Sequence, residues 1–122
     1  MTHPDFTILF VDNPLKSADF YQSLFGKDPV ERSPTFALFV LSTGMKLGLW
    51  SRHTAEPLVI AAPGSCEICL RLEAAADVDK TYAEWTARGL TVLQTPVEMD
   101  FGYTFVVADP DGHRLRVYAM SA

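Results

Sequence analysis

Phe6–Tyr21, FTILFVDNPLKSADFY, and Glu67–Tyr82, EICLRLEAAADVDKTY, align without a gap. Both start with a β-branched or apolar run that suits a strand and pass into an amphipathic helix. In the first copy Asn13-Pro14 offers an N-cap followed by proline at the first helical position. Phe20, Tyr21, Leu24 and Phe25 then share a helical face, and Gly26 supplies a left-handed stop. In the second copy Asp77 is expected as the N-cap. Val78, Tyr82 and Trp85 fall at i, i+4 and i+7, which packs Trp85 against a sheet, and Arg88-Gly89 closes the helix.

The likeness resumes downstream, where Gly44-Met45-Lys46-Leu47-Gly48-Leu49-Trp50 matches Gly112-His113-Arg114-Leu115-Arg116-Val117-Tyr118. Strands are expected over 35–41 and 45–50 in the first copy, after a short extended piece over 29–32. In the second they are expected over 66–72, 91–94, 103–108 and 113–119. The last two are joined by Asp109-Pro110-Asp111-Gly112, in which each residue favours a turn. The pattern is α+β, two tandem βαβββ modules over about 5–51 and 66–119. Residues 52–65 form the linker, long for a loop, with some order expected over 58–60. A chain of 122 residues has room for one domain, 1–122.

Composition narrows the function. Hydrophobic residues make up 48% and charged residues 20%, as in ordinary globular domains. The formal net charge of −5 has the wrong sign for a nucleic-acid partner. No apolar run approaches the roughly 18 residues that would suggest a membrane span. The start, Met1-Thr2-His3-Pro4-Asp5, lacks the features of a secretory signal, so a cytoplasmic location is expected. Cys66 and Cys69 sit in a strand pattern that places their Cα atoms about 10 Å apart, beyond the roughly 7 Å a disulfide allows. They are expected as small strand residues.

The paired βαβββ pattern, Phe20-Tyr21…Leu24-Phe25-Gly26 and Asp109-Pro110-Asp111-Gly112-His113 together resemble the vicinal oxygen chelate superfamily, which holds glyoxalase I, bleomycin-resistance proteins and ring-cleaving dioxygenases. The resemblance implies a curled mixed sheet with a cavity, in a homodimer. Enzymes of this superfamily hold a divalent metal at four positions, which correspond here to Phe6, Gly48, Glu67 and Arg116. Only Glu67 can bind a cation, and Arg116 places a permanent positive charge there. Shifting by one residue offers Thr7, Leu47 or Leu49, Cys66 or Ile68, and Leu115 or Val117, still no site. His3, His53 and His113 lie in a terminus, the linker and a turn edge. No metal and no cofactor are therefore expected. Metal-dependent chemistry is in doubt, no nucleophile motif replaces it, and no catalytic residue is assigned.

Aromatic side chains are the other resource. Trp50 at a strand end, Tyr118 at the equivalent place in the second module, and Phe39, Phe101 and Tyr103 on or beside strands are candidates to line the cavity, with Phe6. Such rings stack planar ligands. Glu67 and Arg116 either pair with each other or meet polar groups of a ligand. Within the superfamily the chain resembles the phenazine antibiotic resistance proteins, through Leu47-Gly48-Leu49-Trp50-Ser51, Glu67-Ile68, Asp77-Val78-Asp79-Lys80 with Glu84-Trp85, and Phe101-Gly102-Tyr103-Thr104-Phe105. Those proteins bind griseoluteate-type phenazines and protect by sequestration. The resemblance implies metal-independent binding of a planar aromatic antibiotic near Trp50. The alternatives are a metal-dependent glyoxalase-like lyase or dioxygenase, and a binder of cationic glycopeptides.

Overall fold

A computed structural model describes residues 2–121. Met1 and Ala122, the ends of the expected single domain, lie outside the described residues. The chain forms two compact units divided between Ala61 and Ala62. The first contains β1 (Phe6–Val11), α1 (Pro14–Phe25), β2 (Glu31–Arg32), β3 (Phe36–Val40) and β4 (Lys46–Ser51). The second contains β5 (Glu67–Arg71), α2 (Ala75–Ala87), β6 (Thr91–Met99), β7 (Gly102–Ala108) and β8 (Arg114–Met120). Each is the expected βαβββ module and carries one four-stranded mixed sheet, ordered β1-β4-β3-β2 in the first and β5-β8-β7-β6 in the second. Parallel pairing joins β1 to β4 and β5 to β8, and the remaining pairs are antiparallel.

Local chemistry explains the element ends. Asn13 caps α1, its side chain accepting from the Lys16 N–H at 3.2 Å, with Pro14 in the first turn and Gly26 at φ 63° after the last. In α2 the N-cap is Ala74 rather than Asp77. Asp77 lies three residues inside, and its carboxylate accepts from the Ala74 N–H at 3.2 Å. An alanine side chain has no acceptor, so the acidic residue stabilises this N-terminus from within the first turn. In the 109–112 turn, Asp109 Oδ1 accepts from the N–H groups of Asp111 and His113, both at 2.9 Å.

Strand β6 runs five residues past the expected end at Gln94. Thr95-Pro96 breaks the alternation, but β6 is an edge strand whose register shifts between Gln94 and Val97. A proline is tolerated at such an irregularity on an edge. Residues 58–60 have neither strand nor helix, and Leu58 and Ile60 are exposed.

Each sheet covers one face with its own helix. In the first unit Leu9, Val11, Ala37, Leu47 and Leu49 are buried, and Tyr21 on α1 is fully buried. In the second, Tyr82 and Trp85 of α2 both meet the buried Phe105 ring edge-on, at 5.3 and 5.7 Å between centroids. Trp85 is therefore the packing residue its spacing predicts. Among the described residues no helix is long and apolar enough to cross a membrane.

Candidate binding face

Side chains alternate across a strand, so the residues not turned to the helix form a far face on each sheet. On the second unit β8 contributes Arg114, Arg116, Tyr118 and Met120 to that face, and β5 contributes Glu67 and Cys69. Glu67, Cys69, Arg116, Tyr118 and Met120, with Met99 at the end of β6 and Phe101 in the turn before β7, line a concavity of about 550 Å³.

One end of this face is ionic. Arg116 grips Glu67 in fork geometry, Nε donating to Oε1 at 2.7 Å and a terminal nitrogen, Nη2, to Oε2 at 3.0 Å. Its other terminal nitrogen, Nη1, donates to Gln94 Oε1 at 3.1 Å and to Thr104 Oγ1 at 3.3 Å. Thr104 is fully buried and donates its own proton to the Val117 carbonyl at 2.8 Å, so its oxygen is free to accept. Arg114 also reaches Glu67, Nη2 to Oε2 at 2.6 Å. The hydrogen bonds from Arg116 hold the Glu67 carboxyl below its usual range, against the opposing effect of burial. The same contacts push Arg116 further up. Burial and the Glu67 charge raise the Cys69 thiol, keeping it protonated.

The other end is aromatic and thioether. Phe101 and Tyr118 meet edge-to-face at 5.9 Å with a 79° tilt, and the Arg116 guanidinium carbon lies 5.7 Å from the Phe101 centroid. Met99 and Met120 stand on register partners of Gly102, so the two strands place flexible sulfur side chains on either side of a residue without one. Gly102 has φ 150°, and a Cβ there would overlap the Ala119 carbonyl oxygen.

On the first unit, Phe6 and Gly48 converge just as Glu67 and Arg116 do. A Cβ on Gly48 would stand 2.8 Å from Phe6 Cε1 and 3.1 Å from Phe36 Cζ, so two rings fill the space over the glycine. Trp50 is half-buried beside Phe10, 5.8 Å between centroids.

The four positions matched to the superfamily's metal ligands thus form two internal pairs. A divalent cation does not fit them: Phe6 and Gly48 offer no donor, and both Glu67 oxygens accept from guanidinium groups. Among the described residues no group of three or more His, Cys, Asp or Glu side chains is placed to hold a metal.

Two expected lining residues lie elsewhere. Phe39 is fully buried and meets Phe25 of α1 edge-on at 6.2 Å, which puts it in the core on the helix side of β3. Tyr103 also turns to its helix, its hydroxyl donating to Asp79 Oδ1 at 2.7 Å, a bond that raises its pKa. Arg114, Cys69, Gln94, Thr104, Met99 and Met120 were not expected at the site. Stepping by two along β8 from Arg116 would have placed Arg114 and Met120, and the β5 partner of Arg116 is Cys69.

A family model for the Glyoxalase/Bleomycin resistance protein/Dioxygenase superfamily matches residues 3–117. Over 117 residues the chain is 36% identical to the phenazine antibiotic resistance protein EhpR of Enterobacter agglomerans, covering 93% of this chain and 89% of that protein. An Agrobacterium tumefaciens protein solved by solution NMR is 61% identical over the whole of both chains, with a TM-score of 0.91. The crystal structure of a glyoxalase-related enzyme from Fulvimarina pelagi, 24% identical, shares the fold with a TM-score of 0.85 over 98% of this chain and 88% of that one. The chain belongs to the Glyoxalase/Bleomycin resistance protein/Dioxygenase superfamily.

Proposed function

We propose that this protein binds a planar aromatic antibiotic of the phenazine kind without a metal, and confers resistance by holding the drug chemically unchanged. The observation that carries this reading is the far face of the second unit, a concavity walled by Phe101, Tyr118, Met99 and Met120. Aromatic and thioether surfaces are what a flat heteroaromatic ring system stacks on, each ring pair adding roughly 0.5–1.5 kcal/mol beyond area burial. The 36% identity to a phenazine antibiotic resistance protein supports the same ligand class.

Catalysis is the poorer reading of the same face. A general base needs a free lone pair and a pKa near the working pH. Glu67 has a lowered pKa, which makes it a weak base at neutral pH, while the raised pKa of Cys69 makes it a weak nucleophile. Trp50, half-buried on the far face of the first sheet, is proposed as a further stacking surface. The active species is proposed to be a cytoplasmic homodimer, and the net charge of −5 counts against a nucleic-acid partner.

The test is tryptophan-fluorescence titration with phenazine in excess chelator, on the native protein, Tyr118→Leu and Trp50→Leu, with the ligand recovered for mass analysis. Saturable quenching by unchanged phenazine, weakened about tenfold or more in Tyr118→Leu, supports the proposal. A metal requirement or an altered ligand mass returns the protein to the enzymes of its superfamily.

A further inference from the structure

Sulfur is concentrated at one place in the second unit. Among the described residues, the cysteine and methionine side chains of Cys69, Met99 and Met120 line the same concavity, while Cys66 and Met45 stand outside it. The three differ in their reactivity toward an oxidant. A thiol reacts through its thiolate, and the raised pKa of Cys69 keeps that form scarce. A thioether needs no deprotonation. Met99 is 43% exposed, and its sulfur accepts from Gln94 Nε2 at 3.5 Å, the amide being oriented by the bond from Arg116 Nη1 to its oxygen. That contact engages a sulfur lone pair. Met120 is 54% exposed, more than Met99 and more than Met45 at 39%.

Met120 also stands where a change of polarity is felt. At the end of β8 it borders both the apolar concavity and a second cavity of about 370 Å³, lined in part by Glu73, Glu98 and Ser121. The backbone is held on either side of it, by the pairing of Ala119 with Tyr103 and by the Ser121 N–H donating to the Phe101 carbonyl at 3.1 Å. A change at this residue is therefore taken up by its side chain. We propose that Met120 is a modification site for hydroperoxides, and that its conversion to the sulfoxide loosens the hold of the neighbouring aromatic face on a planar ligand. In this step the sulfur gives an electron pair to the terminal oxygen of the hydroperoxide. The S–O bond forms as the O–O bond breaks, the proton of that oxygen passes to the departing oxygen, and water or an alcohol leaves. Sulfur is oxidised by two electrons and the hydroperoxide reduced by two. The product is polar where the thioether was apolar. Against a bound ring it would be desolvated without a partner, whereas the second cavity and solvent leave it hydrated, so the side chain turns out of the wall on which the ligand rests. The inference rests on the aromatic-ligand reading of this face and adds to it a control by oxidation.

The experiment treats the full chain with limiting hydrogen peroxide in chelator and follows each methionine by peptide mass mapping. Treated and untreated protein are then titrated with phenazine once the peroxide is removed. Met120 is expected to gain one oxygen before Met99 and Met45, with phenazine affinity falling about tenfold as it does. Methionine sulfoxide reductases, one for each sulfoxide epimer, are expected to restore the affinity. Met120→Leu, whatever its starting affinity, is expected to keep it through the same treatment. Because the readout is a ratio within one protein, a weaker or less stable variant does not mimic the effect. Oxidation of Met99 or Met45 ahead of Met120 overturns the assignment of the site. Unchanged affinity once Met120 is the sulfoxide, or an equal loss in Met120→Leu, overturns its effect on binding while leaving the aromatic site intact. If the untreated protein does not bind phenazine, the aromatic-ligand reading fails and the control of binding with it, and the order of oxidation read by mass alone decides whether Met120 is the modification site.

Discussion

Arg116 and Glu67 face each other across the β8–β5 pair in a two-pronged contact, 2.7 Å from Nε to Oε1 and 3.0 Å from Nη2 to Oε2. Position 67 could in principle serve as a metal ligand, but its partner is a residue that repels cations. Arg114 reaches the same carboxylate, so Glu67 is the only negative charge between two positive ones.

That arrangement sets an order of mutational costs. Glu67→Gln leaves two guanidinium groups facing a neutral amide, and is expected to destabilise the fold by about 2–4 kcal/mol. Arg116→Met keeps an apolar stem and leaves Glu67 paired with Arg114, so it should cost less than half as much. Urea unfolding of both variants measures the order. A larger loss in Arg116→Met would mean that Arg114 contributes little to neutralising Glu67.

The pH dependence follows from the same pair. The folded state lowers the Glu67 pKa from its ordinary 4.5, so between the two values the unfolded chain binds the extra proton. This contribution is fully present above about 4.5 and is lost as the pH falls through the lower folded value. Thermal melting from pH 7 down to pH 3 should show a steeper acid loss in the native protein than in Glu67→Gln. Parallel curves would contradict the assignment.

Gly102 is predicted to be irreplaceable. A methyl group there meets the Ala119 carbonyl, which is backbone and paired in the sheet, at a φ of 150° that other residues rarely adopt. Gly102→Ala should cost about 3 kcal/mol or more and disturb the Met99–Gly102–Met120 end of the concavity. Gly48→Ala meets only the ends of the Phe6 and Phe36 rings, and Phe6 is 41% exposed, so that variant should be milder. Melting temperatures of the two variants make the comparison.

Neighbouring aromatic residues should separate by face. Phe101→Leu and Tyr118→Leu are expected to weaken phenazine binding about tenfold. Tyr103→Phe and Phe39→Leu should leave the affinity within about twofold, because both side chains turn to their helices. Fluorescence titration of the four variants is sufficient, and a strong effect at Tyr103 would relocate the ligand.

The repeat between Phe6–Tyr21 and Glu67–Tyr82 made both modules legible, because strand and helix periods differ and each helix carries its own stop signals. Glu67 and Arg116 came from the resemblance, as two of the four positions matched to the superfamily's metal ligands. The faces of β3 and β7 were harder to read. Phe36–Val40 is apolar at every position, so alternation does not say which side meets α1, and the edge-on contact of Phe39 with Phe25 decides it. Phe101 and Tyr103 are two apart and look alike in a strand pattern. Phe101, however, stands in the turn before β7 and escapes the alternation that directs Tyr103 to Asp79. Met99 was hidden by Thr95-Pro96, since tolerance of a proline depends on the edge position of β6, which is a property of the whole sheet.

The central claim is metal-free binding of a planar aromatic molecule on the far face of the second unit. Its most direct test is a two-dimensional amide NMR titration with phenazine, run once in chelator and once with added divalent metal. The account predicts saturable shifts centred on Cys69, Phe101 and Tyr118, the same in both runs, with the phenazine recovered unchanged. Shifts that appear only with metal, or that gather on α2 around Asp79 and Tyr82, would contradict it.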